Sequence, residues 1–188
     1  MDFNAISAWA AVLAVLAAIV ALIIQVRQAT FNSSLDSLWH LEERFSSTDM
    51  RRERARAATF LLERKPDETQ EVPEVYDVLD FFDLVGYLVN KHAITKEAAW
   101  INFSDGAINY WFASRKYIET QRKKNNSLYW THYGSLIAVM MDIEAAKQGR
   151  RSIKDVTPSE DDWRLFLSLE STPNVADAPN AGASSPRD

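Results

Sequence analysis

Glu74-Val75-Tyr76-Asp77-Val78-Leu79-Asp80-Phe81-Phe82-Asp83-Leu84-Val85-Gly86-Tyr87-Leu88-Val89-Asn90 is the stretch whose reading decides the fold. Val75, Val78, Phe82, Val85 and Val89 recur at three- and four-residue intervals, the period of an α-helix. Leu79, Phe81, Leu84 and Leu88 widen that apolar face until only Asp77, Asp80, Asp83, Tyr87 and Asn90 leave a narrow polar stripe. A helix apolar over most of its circumference belongs in the middle of a bundle.

Helical signals continue on both sides. Upstream, Leu35, Leu38, Leu41 and Phe45 fall in rough helical register, and Ser46-Ser47-Thr48-Asp49 breaks and recaps the chain. A helix is predicted over Met50–Glu63, ended by Lys65-Pro66-Asp67 and followed by a polar loop to Pro73. Downstream, Thr95 caps a helix carrying Trp100 and Phe103. Ser104-Asp105-Gly106 either interrupts that helix or dents it, and Ala107, Trp111, Ser114 and Ile118 continue its face. Arg122-Lys123-Lys124-Asn125-Asn126 makes a basic turn before a helix over Leu128–Lys147, with Tyr129, Tyr133, Leu136, Met140 and Ile143 inward and Gly149 at its C′ position. Thr157-Pro158-Ser159-Glu160 reads as a helix start with Thr at N-cap, Pro at N1 and Glu at N3, and Trp163, Phe166 and Leu167 dock that last helix. No strand pair emerges, because each Val or Tyr run also fits the 3.6 period.

At the chain's start, Ala5 to Ile24 contain no charge and one polar side chain, Ser7. Such a run spans about 30 Å as a helix, the hydrocarbon thickness of a bilayer. A cleavable signal peptide would carry a basic n-region, which Met1-Asp2-Phe3-Asn4 lacks. An uncleaved transmembrane anchor over residues 5–24 is therefore expected, continuing as helix through Gln25-Val26-Arg27-Gln28. Arg27, followed by Arg44 and the cluster Arg51, Arg52, Arg54 and Arg56, places the C-terminal bulk in the cytoplasm and the N-terminus outside. Ala10, Ala14 and Ala18 form a stripe of small residues along which two membrane helices could pair, as a homodimer or with a membrane-protein partner.

Between this anchor and the tail, about 145 residues suffice for one domain with a core. Six Trp, nine Phe and six Tyr supply its apolar surface. The formal charge of −5 speaks against binding nucleic acid through overall charge, so no nucleic-acid partner is expected. The absence of cysteine suits a reducing compartment and excludes thiol catalysis and thiolate zinc sites. Residues 171–188 are rich in Ala, Pro, Asn, Ser and Asp and read as a disordered tail.

Taken together, these features resemble a bacterial family of small membrane-anchored helical proteins known as domain of unknown function 4760. The resemblance rests on the anchor running into Gln25-Val26-Arg27-Gln28, on Leu38-Trp39-His40-Leu41-Glu42-Glu43-Arg44-Phe45, and on Met50-Arg51-Arg52-Glu53-Arg54. It continues through Leu79-Asp80-Phe81-Phe82-Asp83-Leu84-Val85-Gly86-Tyr87-Leu88-Val89, then Ile108-Asn109-Tyr110-Trp111, Arg122, and Leu128-Tyr129-Trp130 to Leu136. These are packing residues, so they imply a fold and bring no activity with them. Where family members often carry Glu in the central helix, this chain has Asp83, an acid of shorter reach.

The candidate chemistry is sparse. Asp77, Asp80 and Asp83 lie at three-residue spacing along one drifting stripe, where acids can hold a divalent cation or raise one another's pKa. A metal site needs ligands converging from several elements, and none can be named. The four arginines offer either contact with anionic headgroups, at about 1 kcal/mol each near a membrane surface, or a clamp on the Asp stripe through bidentate geometry. The clamp is favoured, since a straight helix would hold the cluster about 35 Å from the membrane. His40 with Glu43 is one reversed fragment of a bundle metal motif. His92 and His132 read as structural or surface residues, and the aromatics from Trp100 to Tyr133 as core rather than a ligand pocket. GxSxG, GxxxxGK[ST] and HExxH are all absent.

The sequence thus predicts an all-α protein: a transmembrane helix over 5–24, a cytoplasmic bundle of about five to six helices over 25–170, and a tail over 171–188. The expected role is a non-catalytic interaction or regulatory module at the inner-membrane face, with no cofactor. The alternative is an enzyme or toxin-like effector working through the Asp77/Asp80/Asp83 stripe.

Overall fold

The computed structural model describes residues 19–22, 24, 25, 28, 34–63, 70–150 and 152–172. Among these residues the chain is helical, with turns and no strand. Helix α1 covers residues 34–46, followed by α2 (Thr48–Glu63), α3 (Pro73–Asn90), α4 (Lys96–Lys124), α5 (Thr131–Lys147), a 3-10 turn (Ile153–Val156) and α6 (Glu160–Glu170).

The break before α2 is one residue wide. Ser47 ends α1 by donating its hydroxyl to the Arg44 carbonyl and starts α2 by accepting from the Met50 amide at 3.2 Å. Pro73 occupies the first turn of α3, where its missing N–H removes nothing the helix uses. As the sequence predicts, α3 is central: it packs most extensively against α5 and next against α2, and it also meets α4. Val75, Val78, Leu79, Phe81, Phe82, Val85 and Val89 are all buried.

Rings fill the space around it. Phe45 of α1 stacks on Phe81 at 5.1 Å, and Phe82 stacks on Tyr133 of α5 at 5.2 Å. Trp111 of α4 then meets Tyr133 edge-on at 5.0 Å. The aromatic stripe of α4 and α5 is core, and Leu167 of α6 is wholly buried, with Trp163 and Phe166 packed beside it.

The structure decides one boundary that the sequence leaves open and moves the starts of two helices. Helix α4 runs unbroken through Ser104-Asp105-Gly106, because Gly106 is a packing residue: a Cβ there would stand 3.3 Å from the rings of Phe45 and Phe82. Helix α5 starts at Thr131 rather than Leu128, after a turn in which Trp130 adopts a left-handed conformation (φ 53°, ψ 38°). Helix α6 starts at Glu160 with Ser159, not Thr157, at N-cap. The Asp162 carboxylate accepts from the Ser159 amide at 2.8 Å while Ser159 Oγ accepts from the Asp162 amide at 3.2 Å, a reciprocal box that Thr157 cannot form. Thr157 instead donates to the Ile153 carbonyl and closes the 3-10 turn. Gly149, at φ +63°, stands after the C-cap of α5 as expected.

Among the described residues no helix is long and apolar enough to cross a membrane. The expected span over 5–24 lies outside the described residues apart from 19–22 and 24. So do its pairing face Ala10, Ala14 and Ala18, Val26 and Arg27 of the expected continuation through Gln28, residues 29–33, and the expected tail apart from residues 171 and 172. Ile19, Val20, Leu22 and Ile24 are described as helical and are each about half exposed.

Candidate functional site

Two acids of the α3 stripe, Asp80 and Asp83, bond the start of α5 and not the arginines of α2. Asp80 Oδ1 accepts from the Trp130 indole N–H at 2.7 Å, and three residues on, Asp83 Oδ1 accepts from the Tyr133 amide at 2.8 Å. Tyr133 is the third residue of α5, so its N–H is one of those that the helix itself leaves without a partner. Trp130 supplies no side-chain cap. Asp83 therefore caps α5 from another helix, where a negative charge also meets the favourable end of the helix dipole.

Arg122 of α4 completes the arrangement. Its Nε donates to the Tyr129 carbonyl at 2.8 Å and its terminal nitrogen to the Trp130 carbonyl at 3.1 Å. Tyr76 stands edge-on to Trp130 at 5.0 Å, and its hydroxyl donates to Gln121 Oε1 at 3.1 Å. Gln121 is wholly buried, and its Oε1 also accepts from Asn125. Trp130 is thus held by its indole nitrogen, its carbonyl and its ring. For a bulky residue the left-handed region costs roughly 1–3 kcal/mol, so this convergence is what keeps it there.

Electrostatics follow from these contacts. Burial raises the Asp80 carboxyl pKa, opposed by the Trp130 hydrogen bond and reinforced by Asp83 and Asp77. Glu71 is lowered by hydrogen bonds from Asn125 and Lys124. Burial pushes the Tyr110 and Tyr133 hydroxyls well above the usual phenol range. The partners of Asp80 and Asp83 are an indole N–H and a backbone amide. As bonded, the pair positions the start of α5.

The four arginines take other partners. Arg51 donates to the Ser46 carbonyl, Arg52 pairs with Asp49, and Arg56 pairs with Glu74 at the base of α3. Arg54 is the buried one: its side chain is 12 % exposed, lies 4.0 Å over the Phe45 ring and forms an ion pair with Glu170 of α6 at 3.1 Å. The clamp expected on Asp77, Asp80 and Asp83 is therefore replaced by one on Glu74 and Glu170. Asp80 and Asp83 bond the start of α5 instead, while Asp77 lies near enough to Glu53 of α2 to help raise its carboxyl pKa. His40 pairs with Glu43 at 3.7 Å, and His132 meets Asn90 and the Tyr87 ring. Among the described residues no three His, Asp or Glu converge in a way that could hold a metal ion.

Sequence reasoning missed Trp130, Gln121, Tyr110 and Glu170 as members of polar clusters. Trp130 pairs with Asp80 across 50 residues, and Tyr110 lies 60 residues from Glu170. No local pattern encodes such a partner. Gln121 alone left a trace, as an amide on the inward face of an otherwise apolar register.

A family model described as a domain of unknown function (DUF4760) matches residues 5–140. No curated protein and no solved structure matches the chain.

Proposed function

Because the chain belongs to the DUF4760 family, whose function is undefined, we propose its role from its own residues: a single-pass, membrane-anchored helical module that works by interaction. The carrying observation is the pairing of an outward apolar N-terminal segment with an inward polar network. Ile19, Val20, Leu22 and Ile24 are 49–60 % exposed, so the bundle does not cover them. They end an uncharged run of twenty residues, and apolar helix faces left uncovered by protein are what a bilayer receives. Arg27 retains the inner end, which puts the bundle on the cytoplasmic face of the inner membrane with the N-terminus outside.

The enzyme or toxin-like alternative draws no support from Asp80 and Asp83, whose observed bonds are spent on the start of α5. An interaction role asks of the bundle only a rigid surface, which the ring-filled core provides.

Membrane fractions washed in alkaline carbonate test the anchor: the full chain is expected in the pellet, and its release to the supernatant would overturn the reading. Orientation is measured on the cysteine-free chain with single cysteines introduced as Asp2→Cys or Ser184→Cys. An impermeant maleimide should label the first, and not the second, in intact cells. The interaction role is tested by crosslinking in membranes, and recovery of neither a partner nor a second copy would remove it.

A further inference from the structure

Helix α4, the last turn of α5 and the 3-10 turn border a cleft of about 300 Å³, at the lower end of the roughly 300–1,000 Å³ of small-molecule sites. Ile108 and Val156 line it while packing against the core, so its floor is apolar. Asp105 and Asn109 stand on the α4 wall, and Glu144 and Gln148 on the α5 wall.

The hydrogen bonds within these walls leave acceptors in excess. Asn109 Nδ2 donates to Asp105 Oδ1 at 3.0 Å and to the Asp105 carbonyl at 2.9 Å. Gln148 Nε2 donates to Glu144 Oε1 at 2.6 Å, and the Trp100 indole N–H donates to Glu144 Oε2 at 3.0 Å. Each amide thus turns its nitrogen onto a carboxylate and keeps its oxygen for another donor. The Asp105 Oδ2, Asn109 Oδ1 and Gln148 Oε1 oxygens bond no described protein group, against one remaining N–H of Gln148 and the Ser104 hydroxyl as donors.

Charge points the same way. Neither Asp105 nor Glu144 forms an ion pair with a described residue. Lys147, one turn beyond Glu144, instead lies 3.8 Å over the Trp100 ring. None of the described residues lining the cleft is basic. The cleft also adjoins the C-terminal end of α5, the negative end of its dipole. One unpaired carboxylate on each wall, over an apolar floor, matches a guest with a cationic N–H donor at each end of an alkyl chain.

We propose that this cleft binds an aliphatic diamine or polyamine, its ammonium groups held by Asp105 and Glu144 and its methylenes lying on Ile108 and Val156. Alkyl amines of this kind titrate near the lysine value of about 10.4 and are charged at neutral pH. The ligand adds to the interaction role proposed above and does not rest on it.

The full-length chain in uncharged detergent is titrated by calorimetry with putrescine and spermidine, and with butylamine and butanediol as probes of one charge and none. Putrescine is expected to bind on the order of tenfold more tightly than butylamine, and butanediol not at all. Asp105→Asn and Glu144→Gln, each close in shape to the residue replaced, should each weaken putrescine on the order of tenfold. Glu119→Gln makes an equal charge change at an exposed site about 21 Å further along α4 and should leave the affinity unchanged. Three results overturn the proposal: no binding of either polyamine, equal affinity for putrescine and butylamine, or equal weakening by all three variants. The last would trace binding to general attraction by a chain of charge −5. A lysine-containing peptide that binds where the free amines do not overturns it too. Should a variant lose its helical circular dichroism, the wild-type chain decides. The side-chain amide resonances of Asn109 and Gln148 are expected to shift with putrescine, and saturation without such a shift would remove the site. Failure here leaves the carbonate and crosslinking results standing, and the reverse holds equally.

Discussion

At Asp83 a single carboxylate does what a helix normally obtains from its own N-cap residue. It bonds the Tyr133 amide at 2.8 Å because the local N-cap position is held by Trp130, which offers no acceptor. Replacing Asp83 with Ala should cost about 1–2 kcal/mol, the usual effect of losing a cap. Asp83→Asn, which keeps an acceptor oxygen, should lose less, and urea midpoints of the two variants separate the cases. Asp80 differs in sign. Its folded pKa is raised above the ordinary 3.8, mainly by burial, so the folded state holds the proton more readily than the unfolded one. Its contribution is complete below pH 3.8 and is lost as pH rises through the folded value. Asp80→Asn removes that loss. The variant should therefore gain stability relative to wild type as pH rises above 3.8, read from urea midpoints between acid and neutral pH. The sequence displayed both acids and their shared stripe, but not their partners. A three-residue spacing says which face of a helix two groups share, and nothing about what faces them.

Among elements, the crossing of α3 over α5 is set by Gly86. A Cβ on that residue would stand 2.3 Å from the His132 carbonyl oxygen and 2.6 Å from its carbon, both backbone atoms that cannot swing aside. Two effects compete in Gly86→Ala. Helix propensity favours Ala by about 1 kcal/mol, whereas forcing two packed backbones apart costs typically 1–3 kcal/mol and sometimes more. The steric term should win here, giving a net loss of stability in thermal melts; a gain would show that α5 slides freely along α3. The periodicity of α3 was legible from the start, as were Thr95 as a cap, Gly149 after α5 and the docking of Trp163, Phe166 and Leu167. The starts of α5 and α6 were not. Thr157-Pro158 and Ser159-Glu160 both satisfy the local start pattern, and the Asp162 carboxylate decides between them by bonding both Ser159 groups. Gly106 likewise leaves a break and a dent both open until its neighbours are known to be rings.

Across the whole molecule, stability concentrates where α1, α3, α4 and α5 bring their rings together. Phe82 touches Phe45, Phe81, Tyr110 and Tyr133, with centroids between 5.2 and 6.2 Å, and is wholly buried. Phe82→Ala should cost about 3–5 kcal/mol and lower the melting temperature by roughly 10 °C. The whole bundle should shift together in one calorimetric transition, since four helices share that ring. Loss of a single helix, with the others unmoved, would show that they fold separately. The sequence by itself determined the fold class, the central helix and which faces turn inward, because burial follows a 3.6-residue period that one chain writes along itself. It also determined the apolar run from which the anchor is proposed. Only the tertiary structure decided that Arg56 and Arg54 of α2 hold Glu74 and Glu170, and that Asp80 and Asp83 of α3 hold the start of α5. Charge complementarity is satisfied by any opposite partner within a few ångströms, and helix rotation and crossing, fixed by ring packing and Gly86, choose which one arrives.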